Sequence, residues 1–89
     1  MKYVLTYTSP AELDLAAVGA HLEAHRARWK VFQDQGTLLM IGTFADPRDG
    51  AMGIFTSAAA AHEFASTDPF VLHGVVASWT VKEWNEVLT

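Results

Sequence analysis

With 89 residues, six Lys and Arg against ten Asp and Glu, and a formal net charge of -4, the chain has no basic stripe with which to hold nucleic acid. The hydrophobic fraction is 51% and the charged fraction 18%, a heavy apolar load for one small domain, so a partner is expected to cover some of that surface. Cysteine is absent, which excludes disulfides, thiolate nucleophiles and Cys-ligated zinc, and no apolar run is long enough to span a bilayer. A cytoplasmic, soluble domain over 1–89 without a membrane partner is the expectation.

Residues 2–8, KYVLTYT, are β-branched and aromatic and predict a strand. In the following SPAE, Ser9 can cap a helix with Pro10 in its first turn and Glu12 reaching back; Asp14 competes as the cap. Leu15, Val18, Leu22, His25, Trp29 and Phe32 then recur three and four apart on one helix face. Glu23, Arg26, Lys30 and Asp34 fall on the other faces, as a solvated surface would. Gly36 ends the helix as the residue of positive φ.

TLLMIGTF, 37–44, predicts a second strand, apolar on both faces and therefore shielded from water. Asp46-Pro47 and Asp49-Gly50 are turn signals, and AMGIFT, 51–56, completes a hairpin. Ser57 can cap a helix over AAAAHEFAS, 58–66. Residues 75–84, VVASWTVKEW, predict a fourth strand. The order β-α-β-β-α-β predicts an α+β, ferredoxin-like fold: a four-stranded antiparallel sheet with two helices on one face. Apolar residues occupy both alternating sets, with Leu39 and Ile41 on one and Leu38 and Met40 on the other. The open sheet face is thus expected to pack on its copy in a two-fold homodimer.

His25 is the polar member of the apolar helix stripe. It is either a core histidine satisfied by one hydrogen bond or a proton-transfer group facing a pocket. Asp68 is the best candidate partner by elimination, since the other acids fit solvated, capping or turn positions. Asp68 is also explained as the cap of a turn starting at Pro69, and a residue before proline is held extended. His21 stands one turn before His25, and such a pair could hold zinc or nickel. Nothing in the spacing of His62 and His73 supplies the missing ligands, so no metal is expected. Nucleophile elbows and phosphate-binding glycine loops are absent from the sequence, and no cofactor is expected.

These landmarks carry a resemblance. His25 lies eleven residues before the Gly36 that closes VFQDQG; TLLMIG ends at Gly42; FADPRDG is an Asp-rich hairpin; and DPFVLHG precedes a strand ending at Trp84. In this the chain resembles the YciI-like (YCII-related) family of the dimeric α/β barrel superfamily, nearly end to end. Many members have Gly-Pro where this chain has Gly42-Thr43, a departure in the pocket wall. The resemblance implies a ferredoxin-like fold, a dimer joined through its sheets, and an active site built on a His-Asp dyad, which carries over to His25 and Asp68. It also implies small-molecule chemistry of the kind seen in muconolactone isomerase-like and chloromuconolactone dehalogenase-like relatives. The function expected is proton transfer, with isomerisation or elimination, on a small lactone-like or enol substrate. Tyr7, Gly42 and Phe70 are the candidate pocket residues. The alternative is a non-catalytic dimeric module that binds a metabolite in the same pocket.

Overall fold

The computed structural model describes residues 1–88. Strands β1 (Lys2–Thr8), β2 (Leu38–Thr43), β3 (Ala51–Phe55) and β4 (Ser78–Trp84) form one antiparallel sheet in the order β2-β3-β1-β4. Helices α1 (Leu15–Asp34) and α2 (Ala58–Thr67) lie on one face of it. The βαββαβ order and the ferredoxin-like α+β fold expected from the sequence are present. Two short helical turns are added: a 3-10 turn at Pro47–Asp49 between β2 and β3, and α3 (Pro69–Leu72) between α2 and β4.

Asp14 settles the start of α1. Its carboxylate accepts from the Ala16 and Ala17 amides, so Ser9 is left outside the helix and hydrogen-bonds the Pro47 carbonyl instead. Ser57 caps α2 through the Ala60 amide, and Gly36 has φ 79°. The core is aromatic: Phe32 of α1, Phe55 of β3 and Phe64 of α2 are all but inaccessible. Phe32 meets Phe64 and Phe55 edge to face, at ring-centroid distances of 5.3 and 6.3 Å.

Three expectations require correction. A bulge between Leu38 and Met40 breaks the alternation of β2. Leu38 and Ile41 therefore both turn to the helices, while Leu39 and Met40 are exposed on this edge strand rather than shielded from water. The fourth strand begins at Ser78, opposite Thr8, because β1 offers no partner beyond that residue. The amide of Val76 bonds the Phe70 carbonyl instead of a strand, and Val75 and Val76 are buried in that bend. Leu15, the first residue of the α1 stripe, is 72% exposed. The stripe overlies a cavity for most of its length and reaches close-packed core only at Phe32.

Candidate active site

The cavity, of about 440 Å³, lies between α1 and the sheet. Its floor is Leu5 and Tyr7 of β1, Ile41 of β2, and Ala51 and Gly53 of β3. The roof is the α1 stripe of Leu15, Val18, Leu22, His25 and Trp29, and the back wall is Phe70, Val75 and Val76. An apolar enclosure with a few polar groups is the usual form of a small-molecule site.

Asp68 is the polar centre behind this wall, with no accessible surface. It ends α2 and caps α3, with φ -65° and ψ 125°, the extended conformation that Pro69 imposes. Its Oδ1 accepts from the Phe70 amide at 3.0 Å and from His25 Nδ1 at 2.8 Å. Its Oδ2 lies 3.0 Å from the same His25 nitrogen and accepts from the Tyr7 hydroxyl at 2.6 Å. Three donors from three elements thus converge on one buried carboxylate, which satisfies the requirement that a buried charge be fully hydrogen-bonded.

An acceptor-only carboxylate fixes the histidine. For His25 Nδ1 to approach at 2.8 Å it must carry the hydrogen, which leaves Nε2 as the lone-pair nitrogen of the neutral ring. The ring is clamped from the side as well: it stacks on Phe70 with centroids 3.9 Å apart and planes 9° from parallel. Its side chain keeps 14% of its surface accessible, against none for Asp68, so the dyad has one dry end and one reachable end.

Tyr7, expected only as a pocket wall, lines the cavity and also holds Asp68. Burial first, then the hydrogen bond to Asp68 and the charge of that carboxylate, push its phenol far above the ordinary tyrosine value. It therefore remains a neutral donor. Its inward position was legible, since Leu5 and Tyr7 alternate on the same face of β1; its partner, 61 residues away, was not.

Gly42 lines the cavity through its backbone, and a methyl group built there would meet nothing within 4 Å. Gly50 is the glycine the site depends on. A β-carbon there would lie 2.0 Å from the Tyr7 carbonyl oxygen, and its φ of 97° with ψ of -155° is essentially glycine-only backbone. Asp49-Gly50 had pointed to a turn, not to the close approach that seats Tyr7. Arg26, taken for part of the solvated face, also lines the cavity. Among the described residues no group of three or more His, Cys, Asp or Glu is arranged to hold a metal ion. His21 instead stacks on His73, with centroids 4.0 Å apart.

The YCII-related domain profile matches residues 1–85. The chain belongs to the YCII-related domain family. No curated protein matches it. Among solved structures, this YCII-related domain is similar to the dehydrochlorinase TftG of Burkholderia phenoliruptrix AC1100, which acts on 5-chloro-2-hydroxyhydroquinone and was captured with 2,5-dihydroxybenzoquinone. The two are 22% identical, with a TM-score of 0.71 over 96% of this chain and 94% of that one. At that identity the likeness establishes the shared fold. Among the described residues no helix of this YCII-related domain is long and apolar enough to cross a membrane.

Proposed function

We propose that this YCII-related domain is a small-molecule enzyme that uses His25 for proton transfer and Asp68 to hold it, with isomerase- or lyase-type chemistry on a lactone-like or enol substrate. The observation that carries the reading is the anchoring of His25 Nδ1 to a buried, triply bonded carboxylate at 2.8 Å, which leaves Nε2 for a ligand in the cavity. The similarity of fold to a dehydrochlorinase supports lyase-type chemistry.

In the proposed step Nε2 takes a proton from a carbon beside a carbonyl, or from the hydroxyl of an enol, and the electron pair left behind forms an enolate. Asp68 stabilises the imidazolium that forms and stays ionised itself. The intermediate then resolves in one of two ways. His25 returns the proton to a different carbon, which is isomerisation, or the enolate electrons expel a leaving group such as chloride, which is elimination. Tyr7 and Phe70 hold the dyad in place and form part of the cavity, and the Gly42 backbone borders it.

A homodimer through the open sheet face belongs to the same reading. Met40 and Trp84 are exposed apolar residues on the sheet that take no part in the cavity. A cytoplasmic setting accompanies it, on the composition alone. A monomer in sedimentation at micromolar concentration would remove the dimer.

The catalytic reading is tested by incubating the protein in deuterated water with a panel of muconolactone-type lactones and chlorinated hydroxyhydroquinones. Deuterium incorporation or chloride release is expected for at least one class and is expected to fall about 10²–10⁴-fold in His25→Ala, with circular dichroism unchanged. Turnover undiminished in His25→Ala would overturn the assignment.

A further inference from the structure

The chain carries ten acidic side chains and a net charge of -4, yet among the described residues no carboxylate lines the cavity. The lining is apolar apart from hydroxyls such as Ser9 and Thr43, the His25 ring, and one full cation, Arg26. The one full charge on the lining is thus positive, against the negative net charge of the chain and the buried Asp68 carboxylate behind His25.

Arg26 follows His25 on α1, and its place four residues after Leu22 and three before Trp29 sets it at the edge of the stripe, where it borders the cavity. Its nearest acid, Glu23, lies 3.8 Å away and is 93% exposed, while the Arg26 side chain is 57% exposed. So loose a pair in water neutralises little. The other cations of α1 are committed elsewhere: Lys30 to Asp34, and Arg28 to Thr67 and the Phe32 ring.

We propose that Arg26 is the anion-recognition residue of this cavity, and that the substrate class it selects is a small planar ring or enol bearing one negative oxygen. The inference rests on reading the cavity as a substrate site and adds which substrates enter it. The apolar walls accept the ring face, and the guanidinium pairs with a carboxylate, phenolate or enolate oxygen. A dianion is disfavoured, because one cation is available against the negative field of the whole chain.

Salicylate and its neutral counterpart salicylamide serve as shape-matched probes, titrated calorimetrically at neutral pH and low salt, with Trp29 in the cavity lining as a fluorescence reporter. Salicylate is expected to bind roughly ten- to a hundredfold more tightly than the amide, as befits one charge-assisted contact. Arg26→Gln is expected to erase that preference with an unchanged circular dichroism spectrum, Arg26→Lys to restore part of it, and Lys30→Gln to leave it intact. Equal affinities for the two probes, no saturable binding of either, or a preference that survives Arg26→Gln would overturn the proposal. The outcome separates from that of the catalytic reading. Loss of anion preference alongside His25-dependent proton exchange leaves the dyad standing, whereas anion preference without any exchange sinks the catalysis and keeps the recognition site.

Discussion

His21 and His25 stand one turn apart on the same helix, and each lies flat against a ring from the segment that follows α2. His25 stacks on Phe70 at 3.9 Å and His21 on His73 at 4.0 Å. By helix position and aromatic contact the two are near equals. They differ in what lies behind the ring. His25 reaches a buried carboxylate already held by Tyr7 and the Phe70 amide, whereas among the described residues no hydrogen bond to an acidic side chain fixes His21 and its stacking partner is exposed. Helix periodicity can bring an imidazole to a surface. Orientation and reactivity come from the second partner, and that partner here is tertiary.

Substitutions can break this contrast in order of expected size. Asp68→Ala removes the acceptor from three buried donors at once and is expected to cost about 3–5 kcal/mol, read from denaturant midpoints, and to abolish any turnover. His25→Ala is expected to lower turnover about 10²–10⁴-fold while costing only about 1–3 kcal/mol, since the carboxylate keeps two of its donors. Tyr7→Phe is expected to cost about 1–2 kcal/mol and to loosen His25 without removing it.

Tyr7→Phe should also alter the alkaline limb of stability. In the fold the Tyr7 phenol stays protonated well above its ordinary value of 10.0, whereas in the unfolded chain it ionises near that value. The unfolded state therefore binds fewer protons above that pH, and stability falls as pH rises through it. The variant is expected to lose that slope. In Tyr3→Phe, which leaves Tyr7 as the one tyrosine of two, tyrosinate absorbance is expected only as the fold is lost. His21→Ala is the smallest change, within about 0.5 kcal/mol and with turnover unaltered.

How much of this could be read in advance follows the same division between local and tertiary. Asp68 as a cap was legible because Pro69 fixes its backbone, and the stripe of α1 put His25 on an inward face. Their meeting was supported by elimination and by family resemblance; its physical cause is the packing of α1 on α3, which no local pattern encodes. Arg26 was misplaced because it was grouped with Glu23 and Lys30, although its position four residues after Leu22 and three before Trp29 puts it at the margin of the stripe. The β2 bulge escaped for a related reason: four apolar residues in a row, Leu38 to Ile41, carry no mark of where the pleat slips. Gly50 announced a turn, but its contact with the Tyr7 carbonyl is made across strands.

The most direct test is nitrogen-15 NMR of the ring nitrogens of His25 in its neutral form, compared with His21 in the same sample. The account predicts that His25 holds its proton on Nδ1, toward Asp68, with Nε2 bare, and that this preference disappears in Asp68→Ala. His21 is predicted to show an averaged mixture of tautomers in both proteins. A His25 ring with its proton on Nε2 and a bare Nδ1 facing Asp68, or one whose tautomer is indifferent to Asp68→Ala, would contradict it.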